Sequence, residues 1–168
     1  MTSTLTPSTT PTTPSIEREI TIAARPEIIF AYFTDPERMA RWLVSEATLD
    51  ARPGGSLSLL VAGQHRASGH YVDIDPPRRV VFTFGWEGEG SVIPPGRSRV
   101  EIDLTPAGQG TILRFRHVGV PEITLADHTH GWEHYLGRLS IAAAGGDPGP
   151  DTNADQAADD AGPSAATR

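Results

Sequence analysis

The sequence of 168 residues contains no cysteine, which excludes disulfides, thiolate nucleophiles and thiolate metal sites. It contains no lysine either; all 14 cations are arginine, so a lysine Schiff-base mechanism is excluded. No apolar run approaches the roughly 20 residues of a membrane span, and no cationic segment followed by an apolar one opens the chain. The expectation is a soluble, cytoplasmic protein without membrane insertion. A basic stripe is missing as well. Of the net charge of -7, the C-terminal segment supplies four, from Asp147, Asp151, Asp155, Asp159 and Asp160 against Arg168. The remainder is mildly acidic, which argues against a nucleic-acid partner.

Large apolar side chains are scarce at both ends. Residues 1–14 are Thr, Pro and Ser with one Leu, and residues 146–168 are Gly, Pro, Ala and Asp without one large apolar side chain. Neither can offset the entropy of ordering its backbone, so both are expected to be disordered tails. The domain is expected over residues 15–145, enough chain for one core.

Within those bounds the periodicity changes along the chain. Ile16, Ile20 and Ile22 alternate with polar residues, as in a half-buried strand. Pro26 opens a helix carrying Ile29, Phe30 and Phe33, and Asp35-Pro36 opens a short second one with Met39, Trp42 and Leu43 on one side. Period two follows: Leu57, Leu59 and Val61; then Gly69 to Ile74; then Val80, Phe82, Phe84 and Trp86. A Gly- and Pro-rich connection spans 85–96. Val100, Ile102 and Leu104 form a hairpin with Leu113 and Phe115, predicted to set Glu101 and Asp103 against Arg114 and Arg116 on a solvated face. Leu125, Trp132, Leu136, Leu139 and Ala143 share one stripe of a long helix over 125–144. The reading is α+β: a strand, two short helices, five or six further strands in an antiparallel sheet, and a helix to cover it.

That order resembles the START/Bet v-type (SRPBCC) superfamily, within it the bacterial Aha-type domains named after an activator of the heat-shock-protein ATPase. The resemblance rests on Pro26 with Phe30, TDPERMARW (34–42), RPGG (52–55), GHYVDIDPPRRVVFTF (69–84), SRVEIDLTPAGQGTILRFRHVG (98–119) and HTHGWEHYLGRL (128–139). It implies a helix-grip fold, a curved sheet of six to seven strands wrapped around the C-terminal helix with an elongated cavity between them. The superfamily includes lipid and hormone carriers and aromatic-ring cyclases, so the resemblance implies no single reaction.

On this reading the cavity wall is drawn from Phe30, Trp42, Leu59, Phe82, Phe84, Trp86, Ile102 and Phe115, and its roof from Trp132, Leu136 and Leu139. His117 and His128 fall in segments that match the family pattern. His117 shares a face with Leu113 and Phe115 and points inward; it can donate a proton or close the cavity as a satisfied structural imidazole. Tyr71, on a face with Asp73 and Asp75, is a further acid–base candidate, while the two acids read as an exposed turn. His130 and His134 sit four apart, but Gly131 stands where a zincin-like motif needs Glu; no metal and no cofactor are expected. The leading function is non-catalytic binding of a small hydrophobic or aromatic ligand. The alternatives are a cyclase or hydrolase using His117, His128 or Tyr71, and a module acting on a chaperone partner.

Overall fold

The structure, a computed structural model, describes residues 14–151; the expectation of disorder for 1–13 and 152–168 lies outside the described residues. The elements are β1 (Ser15–Ile22), α1 (Pro26–Thr34), α2 (Pro36–Met39), β2 (Glu46–Leu49), β3 (Ser56–Val61), β4 (His65–Asp75), β5 (Arg79–Trp86), β6 (Ser98–Ala107), β7 (Gly110–Val118) and α3 (Glu122–Ala143). All seven strands pair antiparallel in the order β1-β7-β6-β5-β4-β3-β2. The chain therefore starts at one edge, crosses to the other through α1 and α2, and returns by hairpins until β7 closes beside β1. Strand β2, four residues long, is too short to show alternation in the sequence.

Each local choice has a visible cause. Pro26 occupies the first turn of α1, where its missing N–H costs nothing. Asp35 caps α2, its Oδ1 accepting from the N–H groups of Glu37 (2.9 Å) and Arg38 (3.3 Å). Helix α3 begins three residues before the apolar stripe, at Glu122, because Pro121 provides the extended N-cap and Glu122 an acid in the first turn. The interior joins both elements: Trp132, Leu136, Leu139 and Ala142 of α3 are buried with Phe82, Phe84, Ile102, Leu113 and Phe115 of the sheet. The Trp132 and Phe115 rings pack in a tilted pair with centroids 4.6 Å apart. The Tyr32 hydroxyl donates to the carbonyl of Ala142 (3.1 Å), fixing α1 against the end of α3.

On the opposite sheet face the predicted register holds, with Glu101 opposite Arg116 and Asp103 opposite Arg114. The pairing is wider than a two-strand ladder. Glu101 bridges Arg99 (2.8 Å) and Arg116 (3.2 Å), Asp103 turns to Arg79 (2.7 Å), and Arg114 to Glu19 (3.0 Å). Flanked by two guanidiniums, Glu101 is buried instead of solvated.

A bulge in the β4–β5 pairing between Tyr71 and Asp73 breaks the alternation there. Tyr71 turns into the core, and Asp73 faces outward to Arg79 (3.4 Å). Residues 146–151, assigned by composition to the tail, run back along α3. The Arg138 guanidinium holds them, donating to the carbonyls of Gly149 (2.9 Å) and Pro150 (3.1 Å), and to that of Trp42 (3.1 Å).

The 85–96 connection folds onto β5. The Trp86 N–H donates to the Ile93 carbonyl (2.6 Å), and Ile93 is fully buried. Gly85 makes this possible, since a Cβ there would lie 2.1 Å from the Pro94 carbonyl oxygen. Gly85→Ala is expected to lift the connection and lower unfolding free energy by about 2 kcal/mol or more, read by urea denaturation. A variant within about 0.5 kcal/mol of the parent would show that the loop is not seated on β5.

Candidate functional site

At the end of the sheet nearest the first half of α3, the interior is not filled. A cleft of about 510 Å³ opens there, lined by Leu43, Val61, His65, Phe84, Trp86, Asp127, His128, Gly131, Trp132 and Tyr135. Three elements build it, together with Leu43 from the segment after α2. Strand β5 supplies Phe84 and Trp86, whose rings meet edge to face at 5.1 Å. The β3–β4 hairpin supplies Val61 and His65. Helix α3 presents Asp127 with His128, Gly131 with Trp132, and then Tyr135, on successive turns of one face.

Two indole–imidazole hydrogen bonds form its polar frame. Trp132 Nε1–H donates to His117 Nδ1 (3.0 Å), so that nitrogen is unprotonated and the ring proton sits on Nε2. His117 Nε2–H then meets Ser98 Oγ (2.8 Å), and the Ser98 hydroxyl donates to the Phe84 carbonyl (2.6 Å). His128 has the opposite tautomer. Trp86 Nε1–H donates to its Nε2 (3.0 Å), leaving the proton on Nδ1 to meet the Thr124 carbonyl (3.0 Å). The two imidazoles face each other edge to face at 6.0 Å. All four nitrogens of the two rings are thus engaged.

Burial pushes the His117 pKa down from 6.5 to about 3, and the neighbouring His128 adds to the fall. The Tyr71 hydroxyl donates to the Phe33 carbonyl (2.9 Å), away from the cleft, and burial raises its pKa far above the ordinary phenol value. Of the three acid–base candidates only His128 lines the cleft.

Of the eleven apolar candidates, the structure brings Phe84, Trp86 and Trp132 to the cleft wall. Trp42, Leu59, Phe82, Ile102, Phe115, Leu136 and Leu139 are packed in the core, and Phe30 is half-buried against it. The elongated space expected between sheet and helix is therefore closed along most of α3 by Phe115, Ile102, Leu136 and Leu139, and persists only at one end. Leu43, Val61, His65, Asp127, Gly131 and Tyr135 complete the lining without having been singled out as ligand-binding. Val61 had a signal, as the last residue of the Leu57, Leu59, Val61 alternation. His130 is exposed, and His134 Nε2 meets Asp151 Oδ1 (2.9 Å), so the pair does not converge. Among the described residues no group of three or more His, Asp or Glu could hold a metal, and no helix is long and apolar enough to cross a membrane. A second hollow, near 780 Å³, lies between the start of α1 and the β4–β5 and β6–β7 turns; Arg25, Glu27, Arg78 and turn prolines and glycines line it.

The family described as "Activator of Hsp90 ATPase homolog 1-like protein" matches residues 23–144, most of the chain. The chain belongs to that family. It is similar to the solution structure of an AHSA1-like protein from Rhizobium etli, with 46% identity over 84% of this chain and 88% of that one, at a TM-score of 0.65. It is similar also to CalU16 from Micromonospora echinospora, with 31% identity over 78% and 76% and a TM-score of 0.64. An HSP90 activator from Plasmodium falciparum, 22% identical over 76% and 94% with a TM-score of 0.63, shares the fold. A comparison with curated proteins finds no match.

The neutral His117 links stability to pH. Unfolded, the ring takes a proton near pH 6.5; folded, it resists down to about pH 3. Its stabilisation is therefore present above pH 6.5 and is lost as the pH falls, at up to ~1.4 kcal/mol per pH unit. His117→Gln is expected to be less stable at neutral pH yet to show a shallower acid decline in urea denaturation. Equal slopes for both proteins between about pH 6.5 and 4.5 would contradict this.

Proposed function

We propose that the protein binds a small hydrophobic or aromatic molecule in the cleft between β5 and the first half of α3, and performs no reaction on it. The observation that carries this reading is a roomy aromatic cleft whose two inner imidazoles, His117 and His128, have every nitrogen engaged by the protein. A volume of about 510 Å³ lies within the range of small-molecule sites. The two indole walls are held in place by the protein's own hydrogen bonds, a pre-ordered surface that loses little entropy on binding. A cyclase or hydrolase in this cleft would need a general base. Of the candidate bases in the lining, His128 stands against the aromatic walls with its Nε2 lone pair taken by Trp86, while His65 and Asp127 stand exposed at the mouth.

The family description suggests a module that acts on a heat-shock ATPase instead. ATP turnover by the host's chaperone, measured with saturating protein, separates that reading; a rise in turnover would favour it.

Gly131 provides a direct test. It lies within α3 on the cleft wall, and a Cβ built there meets nothing within 4 Å. Gly131→Leu should fill the cleft while leaving the fold intact, since replacing a mid-helix glycine gains roughly 0.5–1 kcal/mol. Titration with the uncharged probe N-phenyl-1-naphthylamine is expected to give saturable binding to the parent, with affinity reduced at least about tenfold in the variant and the thermal midpoint unchanged or raised. Equal binding by both proteins would place the probe elsewhere and end this reading.

A further inference from the structure

The lining of the cleft carries a charge pattern that narrows what it can hold. Its polar atoms are few, and most are already committed to the protein. Both indole N–H groups are given to imidazoles, both nitrogens of His128 are engaged, and the Tyr135 hydroxyl donates to Asp151 Oδ2 (2.8 Å). What remains is Asp127 on α3 and His65 on β4, both exposed at the mouth. His65 stands edge-on to Trp86 at 6.1 Å. Asp127 is the one lining residue with a formal charge at neutral pH, and among the described residues no ion pair joins it to an arginine. No arginine lines the cleft.

Given the cleft-binding reading above, on which this inference rests, the geometry points to a ligand class: a planar aromatic body bearing a cationic nitrogen, with the ring between Phe84, Trp86 and Trp132 and the charge at Asp127. Three considerations converge. An ionised carboxylate is acceptor-only, so it matches an ammonium donor and repels an anion. A cation at the mouth lies beside indole rings whose faces attract positive charge, which adds to the ion pair. The net charge of -7 raises the local concentration of cations and lowers that of anions. An anionic ligand would find no fixed positive charge in the lining, and a neutral one would leave the carboxylate to water.

The test uses three probes that share a naphthalene body: 1-naphthylmethylamine, 1-naphthylmethanol and 1-naphthylacetate. Each is titrated calorimetrically into the full chain at low salt and about pH 8, where unperturbed histidines are neutral and the amine is charged. The amine is expected to bind about tenfold more tightly than the alcohol, with the acetate weakest. Asp127→Asn should bring the amine to within about twofold of the alcohol while leaving the alcohol unchanged. Glu27→Gln, the same change in net charge at an exposed position outside the cleft, should leave the preference intact. Equal affinity for all three probes, or equal loss of preference in both variants, overturns the proposed ligand class. If in the first case Gly131→Leu still abolishes binding, the cleft-binding reading survives without it. Absence of any binding to the parent at millimolar probe ends both.

Discussion

A buried imidazole tolerates few arrangements, because each ring nitrogen left without a partner costs as much as a lost hydrogen bond. His117, fully buried on β7, meets this demand by accepting from Trp132 of α3 and donating to Ser98 of β6. One ring thereby fixes the height and rotation of α3 over two neighbouring strands. The docking of Phe115, Phe84, Leu136 and Leu139 follows from that position. Without the bond, the apolar stripe of α3 would specify a face but not a register along it.

The same constraint shapes the cleft. His128, one ring away, is fixed by Trp86 from the sheet side and by the Thr124 carbonyl from its own helix. Two tryptophans therefore span the gap between sheet and helix as struts, holding α3 at a distance from β5 while the rest of the helix closes down on the sheet. Space persists where the struts stand and disappears where leucines and Phe115 interdigitate. The family match fits this plan without selecting a cargo, since one scaffold can hold many sites.

Much of the architecture was legible from residue order. Alternation in Val80, Phe82, Phe84, Trp86 and in Val100, Ile102, Leu104 marked strands and faces correctly, and the stripe from Leu125 to Ala143 marked the covering helix. The inward direction of His117 followed from its phase with Leu113 and Phe115. What escaped depended on geometry that period cannot carry. The bulge after Tyr71 reverses the face of Asp73, and Glu101 is buried because arginines from two strands reach it. The division of the aromatic set into core and cleft depends on where two tryptophan N–H groups find acceptors. Strand alternation specifies a side of the sheet, whereas the cleft occupies only one end of that side.

Gly131 shows how little of the fold is tied to the shape of the site. The backbone there lies in an ordinary helix and does not require glycine; the missing side chain is simply space added to the cleft. A protein built this way separates inheritance of its scaffold from inheritance of its cargo. A single codon change on α3 could resize the chamber, from open to sealed, without renegotiating the packing between helix and sheet. Descendants of such a chain are free to diverge in what they carry while remaining superimposable in how they fold.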